Sequence, residues 1–321
     1  MSESVTIKVP ARLHLGFLDI PRSVDDRFGS IGLPIEDIAT ILTISRAAET
    51  HVIGDEQARI NQHLDTLCVH LGIKGHHRIS VQQTIACHIG LGSGTQIALA
   101  VSAALRTLYG LPLDPANDAI LLKRGSRSGI GIAAFEEGGV IIDAGKGQTD
   151  RAPTVVARFR FPRAWRIILV FDQSGQGIHG EAELEAFRML PPFPVATSAS
   201  IARNVLLSIM PALLDKDLGA FARGVEAIQS EIGSYFAPAQ GGVFTSRKVE
   251  ATLHRLADAG ALGIGQSSWG PTGFAFAPTQ AEAERIVGAI GGRTPGTTIR
   301  IVAGRNAGAE ITHSALNLAR A

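Results

Sequence analysis

The 321-residue chain is 45% hydrophobic and 18% charged, the composition of an ordinary folded globular protein. Its formal net charge of +1 gives no general reason to expect nucleic acid or a membrane surface as partner, so any anion site must be built locally. Cys68 and Cys87 stand apart without CxxC or Cys/His spacing, which argues against a disulfide framework or zinc site and fits a reducing compartment. Met1 to Gly16 lacks an apolar signal-peptide core, and no run approaches about 18 uncharged apolar residues, so a cytoplasmic protein is expected. The length favours two domains sharing one cleft. The 36 glycines exceed the usual ~7% and cluster in short motifs, as loops placed close to a ligand would.

Residues 4–9 (SVTIKV) alternate as a strand, and ARLHLGFLD (11–19) follows at once. Arg12, His14 and Gly16 share a parity, so in extended chain they share a face. Residues 20–30 are polar and turn-rich, with Asp25, Asp26 and Arg27 ahead of Phe28 to Pro34. Strands are expected at 38–45 and 78–85, with a helix near 56–72.

His88 to Gln96 (HIGLGSGTQ) carries glycines at 90, 92 and 94, a bare loop whose backbone amides a ligand can approach. Ser93 followed by Gln96 reads as a capping box. Ile97, Val101, Leu105 and Leu108 then form one buried helical face, with Arg106 off it, and Gly110 and Pro112 stop the helix. A glycine loop feeding a helix N-terminus is a ready anion site; a glycine turn that merely starts a core helix is the competing reading. The loop is neither a Walker A sequence nor a GxGxxG fingerprint, so neither of those folds is implied.

Leu122 to Gly131 packs Lys123, Arg124 and Arg127 into a glycine and serine turn, either a binding loop or a solvated basic one. Strand-like 139–143 ends at Asp143-Ala144-Gly145 and reads as a structural strand and turn. Scattered charge and Pro162 in 155–164 suggest a domain boundary, and Trp165 to Phe171 is a buried strand. His179 leads into a helix near 181–190, followed by helices at 197–213, 215–231 and 246–259. A second glycine-rich stretch, Gly263 to Phe276, precedes a helix at 280–290 and a strand at 297–303, the order of a helix-backed antiparallel sheet.

Gly90-Leu91-Gly92-Ser93 resembles the phosphate-binding motif of the GHMP superfamily, the galacto-, homoserine, mevalonate and phosphomevalonate kinases. Within it, ARLHLGFLD (11–19), RFGSIGLP (27–34), HIGLGSGTQ (88–96), RGSRSGIGIAAFEEGG (124–139), ALLDKDLGAFARGVEAIQ (212–229) and GQSSWGPT (265–272) are similar to the β-ribofuranosylaminobenzene 5′-phosphate synthases of methanopterin biosynthesis. These stretches span nearly the whole chain. The resemblance implies a two-domain α+β GHMP-kinase-like fold: an N-terminal ribosomal-S5-like domain over 1–162, a C-terminal helix-backed antiparallel sheet over 163–321, and a cleft between them. It implies a decarboxylating phosphoribosyltransferase joining phosphoribosyl diphosphate to 4-aminobenzoate or 4-hydroxybenzoate, forming a C-riboside 5′-phosphate and releasing diphosphate and carbon dioxide. Magnesium and a homodimer are expected from the resemblance, with no nucleotide cofactor required.

Carried onto this sequence, the resemblance makes Gly90, Leu91, Gly92, Ser93, Gly94, Arg12 and Ser128 candidates for phosphate binding, with Arg27 a further cation. Arg124, Arg127, His14 and Asp19 are the catalytic candidates. Guanidinium groups suit phosphate or carboxylate through bidentate donation. Gln266, Ser267, Ser268, Trp269 and Gly270 are expected to wall the aromatic-acid pocket. Asp19 and Asp25, or Asp26, are the candidate magnesium ligands, against the plain reading of turn residues. His88 and His179 could be donors or bases, or satisfied structural histidines.

One departure concerns the kinases. Those that use a catalytic aspartate carry it in a Ser-Gly-x-Asp turn, which here is Ser128-Gly129-Ile130-Gly131. Gly131 accepts no proton, and losing a general base typically costs about 10²–10⁴ in rate. An ATP-dependent GHMP small-molecule kinase, and a non-catalytic ligand-binding regulator on the same fold, are the alternatives.

Overall fold

The computed structural model describes residues 4–20, 27–147, 151–175, 177, 185, 188–291 and 295–314. Two long strands, β1 (Ser4–Asp19) and β2 (Gly29–Ala47), pair antiparallel along most of their length. Their apolar residues alternate into the core: Val5, Ile7 and Val9 are fully buried on β1, as are Leu42 and Ile44 on β2. Register shifts fall between Pro10 and Arg12 and between His14 and Gly16. The stretch from Arg12 to His14 therefore lies between two bulges, which bend the strand and re-aim its side chains.

β3 (His51–Ile53), α1 (Gln57–Leu71) and β4 (His76–Gln83) follow. Then come α2 (Ser93–Leu108), α3 (Pro115–Leu121), α4 (Ile130–Glu136), β5 (Val140–Asp143) and β6 (Val155–Phe159). Among the described residues the first sheet has the order β11-β1-β2-β4-β3, with β5 joined to β2 and β6 to β5. Its last member, β11 (Glu310–Ser314), comes from the end of the chain and pairs with β1. The chain changes sheets between β6 and the next strand, Arg166–Asp172, in the region of the boundary expected near 162, and β11 returns to the first sheet.

The second sheet has the order β10-β7-β9-β8 and is antiparallel throughout. It consists of β7 (Arg166–Asp172), β8 (Leu262–Gln266), β9 (Gly273–Ala277) and β10 (Thr297–Val302). The helices of this half are α5 (Val195–Asp215, with a π turn at Val205–Ile209), α6 (Leu218–Gln240), α7 (Arg247–Asp258) and α8 (Gln280–Ala289). By length and composition α5 could cross a membrane; its buried face, Ile201, Val205, Ile209 and Leu213, packs into the core. That core is shared: Leu13, Leu15 and Leu91 belong to the same cluster as Trp165, Phe221 and Phe276. The expected α+β arrangement is thus the one found.

Two local expectations are corrected. Ser93 and Gln96 form no capping box: Gly92 is the N-cap, with φ 81° and no side-chain cap. In this left-handed conformation the Gly92 carbonyl itself accepts from the Thr95 and Gln96 amides at 3.2 and 3.1 Å. Gln96 instead donates through Nε2 to the Gly131 carbonyl at 3.0 Å. Arg106, expected off the buried face of α2, is itself buried, because α2 is covered nearly all round. Its guanidinium meets Asp118 in a bidentate pair at 2.6 and 2.7 Å. Asp25, Asp26, His179 and most of the helix expected at 181–190 lie outside the described residues.

Candidate active site

The glycine loop, the β1 bulge and the loop between β8 and β9 meet at the start of α2. Arg12 donates from its backbone amide to the Leu91 carbonyl at 3.1 Å and from Nη1 to the Gly90 carbonyl at 2.7 Å. A Cβ on Gly92 would stand 3.0 Å from Arg12 Nε, so the guanidinium lies against bare backbone. Gly90, at φ 82°, approaches the second loop so closely that a Cβ would fall 2.2 Å from the Ser267 carbonyl oxygen. The buried Ser267 hydroxyl donates to the Gly90 carbonyl at 2.8 Å and accepts from the His14 amide at 3.0 Å. Ser268, in a left-handed conformation, returns its amide to the His14 carbonyl at 3.3 Å. His88 takes part through its carbonyl, which accepts from the Gly177 amide at 2.7 Å. Glycine is required where these backbones touch.

Positive charge gathers on the α1 side of the loop. Arg124 lies over the first turn of α2, with Nη1 3.2 Å from where a Gly94 Cβ would be. Its Nε is buried without a hydrogen-bond partner among the described residues, and burial together with Arg59 holds its pKa below the usual arginine range. His63 sits near both arginines, and burial followed by their charge pushes its pKa down to about 4. Glu56 pairs with Arg59 at 3.0 Å, and no carboxylate pairs with Arg124 among the described residues. A guanidinium over a helix N-terminus is suited to an anion by charge and by donor geometry. Arg59 and His63, four residues apart on one face of an expected helix, were the available sign of this cluster.

Beyond Ser267 the character changes. His14 is 3% exposed, and neither ring nitrogen has a hydrogen-bond partner among the described residues. Burial, then the Arg12 charge, pushes its pKa down to about 3, so the ring is neutral. It borders a cavity of about 20 Å³ lined also by Phe17, Phe236, Val243, Gln266 and Trp269. The rings are in contact, with centroids 4.6 Å apart for His14 and Phe17 and 4.3 Å for Phe236 and Trp269. Gln266 is fully engaged, accepting from the Thr245 amide at 2.7 Å and donating to the Ser268 carbonyl at 3.2 Å. A Cβ on Gly270 would press on the Gln266 side chain.

The turn Ser128-Gly129-Ile130-Gly131 is held from below by Asp143. This fully buried carboxylate accepts from Ser30 Oγ, from Ser128 Oγ at 3.3 Å and from the Gly145 amide at 2.7 Å. Burial outweighs these hydrogen bonds and pushes its pKa up to about 6. Ser128 also caps the Ile130 amide at 3.2 Å, so its hydroxyl serves the turn. At Gly131 a Cβ would lie 2.9 Å from Thr95 Cγ2, so this position has no space for an aspartate in the present packing.

Residues 37–139 match the GHMP kinases N terminal domain, and residues 209–294 match GHMP kinases C terminal. The beta-ribofuranosylphenol 5'-phosphate synthase of Archaeoglobus fulgidus is 31% identical, over 86% of this chain and 88% of that one. The protein of the same name from Methanothermobacter thermautotrophicus is 27% identical, over 94% and 97%. The chain belongs to the beta-ribofuranosylphenol 5'-phosphate synthase family.

Solved structures agree on the fold of this synthase family member. A homoserine kinase from Cytophaga hutchinsonii superposes with a TM-score of 0.70 at 16% identity, covering 97% of this chain and 98% of that one. A mevalonate diphosphate decarboxylase from Staphylococcus aureus gives 0.69 at 18%, covering 98% and 99%.

Of the expected site residues, Arg12, His14, Gly90, Leu91, Gly92, Ser93, Gly94, Arg124, Gln266, Ser267, Ser268, Trp269 and Gly270 lie around this junction. Arg127 is half-buried in the turn that Asp143 supports. Arg27 is exposed and lies against Gly147. Asp19, at the end of β1, accepts from the next amide, Ile20, at 2.8 Å. No group of three or more His, Cys, Asp or Glu side chains that could hold a metal occurs among the described residues. Sequence reasoning missed Arg59, His63, Phe17, Phe236 and Asp143.

Proposed function

We propose that this synthase transfers a ribosyl 5-phosphate unit from phosphoribosyl diphosphate to a 4-substituted benzoate, with loss of diphosphate and carbon dioxide. The ring carbon bearing the carboxylate attacks C1 of the ribose. The C1–oxygen bond breaks and the diphosphate leaves with its electron pair. The bond from ring to carboxylate then breaks, its electrons restore the aromatic ring, and carbon dioxide departs.

The observation that supports this reading best is the Ser267 hydroxyl, which joins the Gly90 carbonyl to the His14 amide. It puts a cationic, glycine-lined anion cradle back to back with a neutral, aromatic-lined cavity. The cradle suits a leaving diphosphate, whose growing charge Arg124, Arg12 and the first amides of α2 would stabilise. The relatives' name contains a phenol, which favours 4-hydroxybenzoate over 4-aminobenzoate. Gly131, packed against Thr95, argues against the aspartate-dependent kinase alternative.

The proposal includes a homodimer, magnesium arriving with the diphosphate, and a cytoplasmic setting, which the free Cys68 and Cys87 fit. The test supplies phosphoribosyl diphosphate, magnesium and each carboxyl-labelled acid and follows labelled carbon dioxide. Release that depends on phosphoribosyl diphosphate supports the transferase. No release with either acid overturns it.

A further inference from the structure

We propose that the cavity bounded by His14, Phe17, Phe236 and Trp269 is the slot for the aromatic ring, with the substrate carboxylate turned toward the buried His14 imidazole and Val243 as the plug that moves to admit it. This rests on the transferase reading and deepens it by assigning the second substrate's position.

A buried polar ring with two unsatisfied nitrogens costs free energy unless something comes to meet it. His14 is such a ring, set among Phe17, Phe236 and Trp269, while the Gln229 and Gln266 side chains of the same cavity are already hydrogen-bonded. At about 20 Å³ the cavity holds roughly one water, not a benzoate. The wall that can yield is the segment after α6. Gly241 (φ 83°) and Gly242 (φ 156°) begin it, and a Cβ on Gly241 would meet nothing within 4 Å. Val243, 38% exposed, seats its Cγ1 where a Gly233 Cβ would be 2.6 Å away. The absence of a side chain at Gly233 makes the seat, and a rotation at the two glycines empties it.

The chemistry favours this side of Ser267 for the carboxylate. A cation there would hold the carboxylate in its charged ground state. A dry slot with neutral donors orients it and leaves its charge poorly solvated, a cost relieved as the charge passes into the ring and carbon dioxide forms. The cations stand on the other side, at Gly90 to Gly94, where the diphosphate would be. Arg12 and His14 are two residues apart in β1, about 6.6 Å along the strand, so the cationic loop and the aromatic slot are neighbours.

The test uses the full chain in a Trp165→Phe background, which leaves Trp269 as the one tryptophan. Titration with 4-hydroxybenzoate alone should change Trp269 emission saturably, and His14→Leu should weaken that response. In His14→Leu, kcat/KM for the acid should fall ~100-fold through misplacement, with KM for phosphoribosyl diphosphate unchanged. A Gly233→Cys, Val243→Cys pair tests the plug without depending on that variant's folding: oxidation should abolish both the emission response and label release, and reduction should restore them. Label release that persists in the oxidised pair, or no emission response in a protein that does release label, overturns the slot and leaves the transferase standing. No label release in the unmodified protein, with the emission response intact, overturns the transferase and keeps the slot as an aromatic-acid site.

Discussion

Ser267 and Gly90 lie 177 residues apart and meet through one hydrogen bond, from the Ser267 hydroxyl to the Gly90 carbonyl at 2.8 Å. Because the same hydroxyl accepts from the His14 amide, Ser267→Ala leaves that buried amide unpaired and takes one of two donors from the Gly90 carbonyl, which keeps Arg12 Nη1. An unpaired buried amide costs about 1–3 kcal/mol. The variant should unfold at lower urea concentration with an unchanged m-value, and its KM for phosphoribosyl diphosphate should rise as the loop loses its anchor. An m-value shift would mean that the denatured state had changed instead.

Substitutions in the glycine loop should be graded by geometry. Gly90→Ala places a Cβ 2.2 Å from the Ser267 backbone and demands φ 82° of an alanine, so the two loops must part. Gly92→Val, at φ 81° and against Arg12, should also abolish turnover. Gly94→Ala meets only the flexible end of Arg124 at 3.2 Å, without a positive φ. It should keep folding stability within about 0.5 kcal/mol and lose a modest part of its diphosphate affinity. Equal loss at positions 90 and 94 would show that backbone approach does not govern the loop.

Arg124 separates binding from stability. It faces Arg59 and no carboxylate among the described residues, so the fold gains nothing from its charge. Arg124→Gln should weaken binding of inorganic diphosphate by about tenfold or more, a loss of at least ~1.4 kcal/mol, while thermal stability stays level or rises. Calorimetric titration and thermal unfolding read the two effects separately. A destabilised variant would make Arg124 a structural residue.

The features legible in the sequence were those carried by local periodicity and local backbone demand. The glycine loop with its apolar helix is one, since Ile97, Val101 and Leu105 fall at helical spacing and are buried as that spacing requires. The second glycine stretch hid β8, because glycines at 263 and 265 erase the alternation that marks a strand. There, glycine admits α6: a Cβ on Gly263 would touch Ala222 at 2.9 Å. Asp143 looked like a turn residue because its partners Ser30 and Ser128 come from distant parts of the chain. Phe236 was invisible as a site residue for the same reason: only the packing of α6 on β1 and on the loop after β8 brings it to Trp269. Ser93 and Gln96 had the pattern of a capping box, and the positive φ of Gly92 overrode it.

The buried titratable groups should shape the pH dependence of stability. His14 is held neutral, with its pKa pushed from 6.5 to about 3, so it takes up a proton on unfolding whenever the pH lies between those values. The unfolded chain then binds more protons than the folded one, and stability falls as pH drops below 6.5, by at most ~1.4 kcal/mol per pH unit. Asp143 acts in the opposite sense. Its pKa is raised from 3.8 to about 6, so the folded state binds the extra proton, and this group's contribution grows as pH falls from 6 toward 3.8. Between pH 4 and 6, His14→Leu should therefore flatten the acid loss of stability by about one proton's worth of slope, and Asp143→Asn should steepen it by about the same amount. Urea midpoints at half-unit pH steps measure both slopes. A His14→Leu slope equal to that of the unmodified protein would mean that the imidazole is protonated inside the fold, and the neutral slot beside it would be lost with that result.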